Sequence, residues 1–311
     1  AMPFWLKAPK AQGASRLPAG PVRDRFSGVR PAMPFFLTCC SRPEEHNPIN
    51  YEVTVKQHEP ELRTAADDSV PADRALHMLQ MGNQRFLEDE SATPKTAPHM
   101  IAHLRQSLSM HGQNPAAVII ACADSRCPVE ILFDAQPGDL FVLRNAGNTC
   151  THAEGSIVGS VEYALNHLGT NLVLVLGHTL CGAIAGATKC MLAQRQEQEA
   201  AQDPEETGGG QRKRTSLLDT MLSGLAPAAE QAHTELDGNA KETDISAHAV
   251  KVNVYHTIEK LYEYSDSVRD KTRKGKIQVH GAIYDLESGR VDFLGQHANV
   301  GEIMEGHPGA Q

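Results

Sequence analysis

Two cysteines and a histidine give this chain a set of side chains suited to a metal ion. Cys122 ends a short apolar run, and His178 and Cys181, in a His-x-x-Cys spacing, end another run further along the chain. Two sulfur ligands and one imidazole suit Zn²⁺, and three protein ligands leave a fourth tetrahedral position. An open fourth position distinguishes catalytic zinc from closed structural zinc. The residues therefore predict one zinc ion per chain, in a site suited to catalysis.

A carboxylate and a guanidinium follow the first cysteine, in the run Cys122-Ala-Asp124-Ser-Arg126. Asp124 can accept a hydrogen bond from a zinc-bound water or hydroxide, and Arg126 can hold that carboxylate and keep it ionised. Asp124 can instead bind the metal as its fourth ligand. Three interpretations therefore stay open at this stage: a catalytic site, a closed zinc clip, and cysteines that only pack in a core.

Composition restricts the class of protein. The 311 residues include 41% hydrophobic and 22% charged side chains, which is typical of a globular protein. A formal net charge of −9 argues against a nucleic-acid-binding protein, and no apolar run approaches the roughly 20 residues of a transmembrane helix. Seven cysteines, two of them in the predicted zinc site, favour an intracellular, reducing compartment, because zinc thiolates are open to oxidation elsewhere.

The elements that must position these side chains indicate an α/β fold. The apolar runs Ala117–Ala121 and Leu172–Leu176 are short and continuous, as expected of strands covered on both faces. Cys122 and His178 then lie just past the carboxyl ends of two strands, where open α/β sheets bind their ligands. Further helices are predicted from about residue 71 and over 100–110, 128–133, 156–168 and 248–264, and further strands over 140–144, 276–286 and 291–294.

One folded domain is expected over residues 71–300. Residues 1–70 precede it as an arm, basic and rich in Pro, Gly and Ser over its first part, which is typical of a flexible linker or of an organelle-targeting remnant, a chloroplast one included. A polar insertion is expected at about 192–214, and a tail over 301–311. The glycines of the insertion lack the Gly-Lys-Ser/Thr of a phosphate loop, which favours a solvated segment.

The order of the motifs closely resembles the beta-class carbonic anhydrases. The match rests on Cys122-x-Asp124-x-Arg126 followed by His178-x-x-Cys181, and on the segments at 82–86, 136–145 and 279–285. It covers most of residues 75–295. The resemblance implies an α/β fold with a mostly parallel β-sheet flanked by helices. It also implies N-terminal helices that pack on a partner subunit, in a homodimer or a higher even oligomer.

The resemblance implies reversible hydration of CO2 to bicarbonate and a proton, by zinc-bound hydroxide that Asp124 and Arg126 orient. Its zinc ligands correspond to Cys122, His178 and Cys181. The substrate-binding positions correspond to Gln113, Phe141, Tyr163 and Gly182.

Gln113 favours the plant-like, open-site type of the family. In a second bicarbonate site known in other members, only Arg144 matches, while Ile119 and Cys127 depart from the pattern. The proton shuttle stays open between His152 and His167. Two other functions also stay open: hydrolysis of CS2 or COS on the same zinc site, and a non-catalytic zinc-stabilised scaffold or sensor with Asp124 on the metal.

Overall fold

The computed structural model describes residues 63–90, 102–150, 155–200, 216–236 and 240–305. Most of the predicted arm and of the predicted insertion, residues 306–311 of the tail, and His152 lie outside these ranges. The strands are β1 (Ala117–Cys122), β2 (Leu140–Asn145), β3 (Leu172–His178), β4 (Gln278–Tyr284) and β5 (Val291–Gly295). The helices are α1 (Ala72–Leu87), α2 (Ala102–His111), α3 (Val129–Leu132), α4 (Ser156–His167), α5 (Gly182–Ala200), α6 (Leu217–Glu235), α7 (Glu242–Tyr264), α8 (Asp266–Arg273) and α9 (Val300–Glu305).

The strands of the described part form one sheet in the order β2-β1-β3-β4-β5. The first four are mutually parallel, and β5 runs antiparallel to β4. All residues of β1 and β3 are buried, because these strands lie inside the sheet with helices on both faces. The predicted mostly parallel α/β fold is confirmed.

Side chains on the two faces of the sheet join different cores. Ile119 and Leu174 face α1 and α3, whereas Val118 and Val173 face α4 and α7. A third core, between α5, α6 and α7, includes the sulfur-bearing Cys122 and Cys181. The candidate ligands are therefore anchored in packed, apolar surroundings.

Helix α7 crosses the sheet at close range. Its Val254 occupies the space beside Gly177 on β3 and Gly281 on β4, where an added Cβ would lie 2.8 and 2.7 Å from the valine methyl groups. Any larger residue at either glycine would push the helix away from the sheet. The position of α7 relative to the strand ends is thus tightly fixed.

Two predicted boundaries need correction. Residues 192–200, expected in a polar insertion, form the second half of helix α5. Their Gln, Arg, Glu and Ala side chains favour a helix that projects into solvent, although they lack an apolar stripe. Helix α7 also begins at Glu242, earlier than the predicted residue 248.

The first helix packs Ala75 and Leu79 on the sheet of its own chain. Packing of the N-terminal helices on a partner subunit stays a prediction. In the described part of the chain, every helix is too short or too polar to cross a membrane.

Candidate metal centre

The three predicted ligands meet at one edge of the sheet. The ligand atoms of Cys122, His178 and Cys181 all lie within 4.8 Å of one another, and the three residues are buried. The two Sγ atoms are 4.0 Å apart. Zinc–sulfur bonds of about 2.3 Å in a tetrahedral site separate two sulfurs by about 3.8 Å. The described donor set and its spacing therefore fit a zinc ion.

Parallel pairing of neighbouring strands creates this cluster. Cys122 is the last residue of β1 and His178 the last of β3, and the register pairs Ala121 with Leu176. Leu180 then adopts a left-handed backbone conformation, with φ of 55°, and the chain turns so that Cys181 lies just before α5. A non-glycine residue in that conformation is strained, which is typical of functional turns.

The orientation of the His178 ring follows from its contacts. Nδ1 lies 2.9 Å from the carbonyl oxygen of Thr179, so Nδ1 carries the proton and donates it. Nε2 is buried and has no hydrogen-bond partner among the described residues. Once it has lost its proton, Nε2 can therefore donate a lone pair to a metal ion at the cluster.

The electrostatics of the cluster favour positive charge beside the sulfurs. Burial disfavours the protonated form of His178, but the neighbouring sulfurs of Cys122 and Cys127 outweigh burial and raise its pKa to about 10. The hydrogen bond between the two ligand sulfurs lowers the pKa of Cys122 and raises that of Cys181. The backbone amide of Gly147 also donates to Cys122 Sγ at 3.4 Å.

Arg126 holds the carboxylate of Asp124 beside the cluster. The guanidinium donates from Nε to Oδ1 at 2.9 Å and from Nη2 to Oδ2 at 2.7 Å, and the Arg126 amide donates to Oδ1 at 2.9 Å. These hydrogen bonds hold the pKa of Asp124 well below its usual range. Asp124 Oδ2 lies 3.9 Å from His178 Nε2. An ionised carboxylate therefore stands next to the ligand atoms.

Two arginines tie the segment that follows β1 to its neighbours. Arg126 Nη2 donates to the carbonyl oxygen of Leu180 at 3.1 Å, which joins the two ligand-bearing segments. Arg144, on β2, donates to the carbonyl oxygens of Cys122 at 2.9 Å and Asp124 at 2.6 Å. The sequence motifs did not indicate these backbone contacts, because they depend on the register of the strands.

The chain is similar in sequence and in structure to known proteins. The sequence profile of the carbonic anhydrase family matches residues 117–291, more than half of the chain. Carbonic anhydrase 2 of Mycobacterium tuberculosis is 30% identical over 73% of this chain and 95% of its own length. The crystal structure of the β-carbonic anhydrase CafA of Aspergillus fumigatus is 26% identical, with a TM-score of 0.54 over 69% of this chain and 92% of that one.

The chain belongs to the β-carbonic anhydrase family. A further structural match is to tetrameric β-carbonic anhydrases of Sordaria macrospora, with 26% identity and a TM-score of 0.50 over 71% of this chain and 98% of that one. Reversible CO2 hydration is the general activity of this zinc-dependent family. The Cys-His-Cys cluster is compatible with its metal.

Three of the four pocket positions expected of a β-carbonic anhydrase do not gather at the cluster of their own chain. Phe141 pairs with Val118, four residues before Cys122, which corresponds to about 13 Å along the strands. The Tyr163 ring lies 6.3 Å from that of Phe141 and is 45% exposed. Gln113 precedes β1, so it lies toward the opposite end of the sheet from the cluster.

Gly182 directly follows the last ligand and begins α5. A Cβ at Gly182 would meet no described atom within 4 Å, so in the described part of this β-carbonic anhydrase chain the space beside it is open. Among the shuttle candidates, the His167 ring lies 5.4 Å from the Tyr163 ring and is tilted by 36° to it, and His152 lies outside the described residues.

Proposed function

We propose that this chain catalyses the reversible hydration of CO2 to bicarbonate and a proton, with one zinc ion per chain held by Cys122, His178 and Cys181. The observation that supports it most strongly is the convergence of the three ligand atoms within 4.8 Å, beside an ionised carboxylate. Family membership supplies the reaction class.

Zinc held by these three residues would supply Lewis acidity that activates water at neutral pH. Two thiolates offset the charge of the metal ion, so this site depends more on its neighbours than one built from histidines alone. Asp124 is ionised and can only accept hydrogen bonds, so it would orient a water molecule at the metal by accepting a hydrogen bond from it. Arg126 holds both oxygens of Asp124 and thereby opposes binding of this carboxylate to the metal.

We also propose the plant-like, open-site arrangement, in which Asp124 does not bind the metal. Both oxygens of Asp124 are engaged by Arg126, so the carboxylate would have to give up strong charge-assisted hydrogen bonds to become a metal ligand. The permanently closed scaffold or sensor lacks a comparable supporting observation. A cobalt-substituted chain whose spectrum changes in Asp124→Asn at every pH would favour the permanently closed scaffold or sensor.

We infer that a partner subunit completes the substrate pocket in a homodimer or a higher even oligomer. Gln113, Phe141 and Tyr163 are remote from the cluster of their own chain, and the exposed Tyr163 ring stands beside Phe141 on the edge strand β2. A symmetric dimer brings the same edge of two chains together, so each chain can supply these side chains to the other. Gly182 keeps the space at the ligand edge open for a small substrate.

The domain boundaries and the compartment stay proposals as well. We propose that residues 71–300 form the catalytic domain, preceded by an arm, and that the thiolate ligands require a reducing intracellular compartment, in the cytoplasm or an organelle.

Rapid mixing of the zinc-loaded full chain with CO2, COS and CS2 in parallel tests the proposed reaction. We expect hydration of CO2 far above the buffer rate, and loss of that rate in Cys181→Ser. If the zinc-loaded chain turned over only COS or CS2, its function would be hydrolysis of those substrates and not CO2 hydration.

A further inference from the structure

The turn that follows β2 has an unusual backbone. Its ends are joined by the Asn145 side chain, which donates from Nδ2 to the Thr149 carbonyl at 2.7 Å and accepts from the Thr149 amide at 3.0 Å. Gly147 and Asn148 both have positive φ, 81° and 43°. We call this segment the Asn145–Thr149 turn. Glycine adopts this conformation without strain, and asparagine is one of the few other residues that can do so.

The Asn145–Thr149 turn contacts a candidate metal ligand. Asn145 pairs with Cys122 in the register of β1 and β2, so the turn begins level with that ligand. The amide of Gly147 then donates to Cys122 Sγ at 3.4 Å. A hydrogen bond to a thiolate withdraws charge from sulfur, so it changes how strongly the sulfur donates to a metal ion.

Helix α7 supports the turn from the core. Asn253 Nδ2 donates to the Gly147 carbonyl at 2.8 Å, and Thr257 Oγ1 donates to the Asn148 carbonyl at 3.1 Å. The two side chains are one helical turn apart, so they share a face of α7, and both are at least 97% buried. They bind the carbonyls of the two positive-φ residues in succession.

The packing leaves the turn little freedom on its other side. A Cβ at Gly147 would lie 2.9 Å from the Leu225 side chain of α6. Helix α7 is itself held on the sheet by the close approach of Val254 to Gly177 and Gly281. The position of the Gly147 amide is therefore set by α6, α7 and the sheet together.

We propose that Asn253 and Thr257 are positioning residues of the metal centre. They hold the Asn145–Thr149 turn so that the Gly147 amide keeps its hydrogen bond to Cys122 Sγ, and they thereby set zinc affinity and the donor strength of that thiolate. The proposal rests on the proposed zinc site and extends it to residues that touch neither metal nor substrate.

The competing explanation is that both side chains only satisfy buried carbonyl groups. Matched variants separate the two. Thr257→Val removes a buried hydroxyl with little change of shape, and Thr188→Val makes the same change on α5, where the hydroxyl donates to the Ile184 carbonyl. Asn253→Asp removes an amide donor. Asn83→Asp is its control, because it removes an amide that donates to the Leu132 and Gly289 carbonyls instead.

Zinc affinity of the full chain is measured by competition with a chromophoric chelator, and thiolate donor strength by the sulfur-to-metal charge-transfer band of the cobalt-substituted chain. Thr257→Val and Asn253→Asp should weaken zinc binding about tenfold and move that band to longer wavelength. Thr188→Val and Asn83→Asp should change neither quantity, even where they lower the unfolding midpoint.

Unchanged affinity and spectrum in Thr257→Val and Asn253→Asp would overturn the proposal, as would equal changes in the controls. A wild-type chain that binds zinc but does not hydrate CO2 would overturn the proposed function. The comparison of the Asn253 and Thr257 variants with their controls would still be valid in that case. A wild-type chain that binds neither metal would overturn the zinc site and this proposal together.

Discussion

Arg126 binds both carboxylate oxygens of Asp124, through Nε at 2.9 Å and Nη2 at 2.7 Å. The same guanidinium reaches the carbonyl of Leu180, between the ligands His178 and Cys181. One side chain thus fixes both the carboxylate beside the cluster and the turn that carries two of the candidate ligands. The proposed activity makes this arrangement open to direct tests.

Asp124→Asn should keep zinc but lower kcat for CO2 hydration by about 10²-fold or more, because an amide cannot replace a carboxylate as acceptor and orienting group. Zinc per chain and stopped-flow hydration are measured on the same sample. Asp244→Asn, an exposed change in the first turn of α7, is the control and should leave both unchanged. Near-full turnover in Asp124→Asn would remove this residue from the mechanism.

Arg126→Ala should release Asp124 to bind the metal, because the two guanidinium hydrogen bonds that lower the pKa of Asp124 and occupy its oxygens are lost. The spectrum of the cobalt-substituted chain at neutral pH should change, and activity should fall. In the double variant Arg126→Ala/Asp124→Asn the spectral change should disappear. A spectrum in Arg126→Ala that matches the wild-type chain would contradict this competition for the carboxylate.

Cys122→Ser and Cys181→Ser should each lose zinc and CO2 hydration together, since a serine hydroxyl is a poor ligand for zinc at neutral pH. Metal content by mass spectrometry and the hydration rate are compared with those of Cys190→Ser. Cys190 is exposed on α5, away from the cluster, so its variant should retain both. Either ligand variant with a full zinc complement would show that the sulfur is not required.

A mixed oligomer tests whether a partner subunit completes the pocket. Gln113→Ala and Asp124→Asn chains should each be weakly active alone. After unfolding and refolding together, about half of random dimers pair the two variants, and one of the two sites in each such dimer is intact, which restores about a quarter of wild-type activity. If Gln113 serves its own chain, no site is restored and the mixture stays as inactive as its components.

Much of the candidate site could be predicted because the chemistry and the strand ends coincide in the sequence. Ala117–Cys122 and Leu172–Leu176 are continuous apolar runs because both strands are covered on both faces, so the strand ends are visible without a structure. Residues at the carboxyl ends of neighbouring parallel strands lie close together at the same edge of the sheet. The Asp124–Arg126 contact is equally local, since it spans two positions.

The supporting residues could not be found in this way. Asn253 and Thr257 are separated from the Asn145–Thr149 turn by more than a hundred residues, and only the docking of α7 on the sheet brings them there. Helix α5 was misjudged over 192–200 because that half has no apolar stripe. The start of α6 did have a signal, since Ser216 and Asp219 form a capping box.

Asp139 should make folding stability fall with rising pH. Burial raises the pKa of its carboxyl group from 3.8 to about 6, so the folded chain holds this proton more tightly than the unfolded chain. The resulting stabilisation is complete below about pH 4 and is lost as the pH rises through 6, at most about 3 kcal/mol.

Asp139→Asn keeps an oxygen that accepts from the Gln136 amide and removes the titration. Urea unfolding between pH 4 and 7 should therefore show a smaller decline of stability with pH in the variant than in the wild-type chain. Parallel stability curves for the two proteins would contradict the assignment to Asp139.

The most direct test of the central claim is to measure CO2 hydration by the full chain three times: before zinc removal, after chelation, and after zinc is added back. Stopped-flow measurement should show a rate far above buffer that disappears on chelation and returns in proportion to zinc bound. A chain that carries one zinc ion at its Cys-His-Cys cluster and yet hydrates CO2 no faster than buffer would contradict the account.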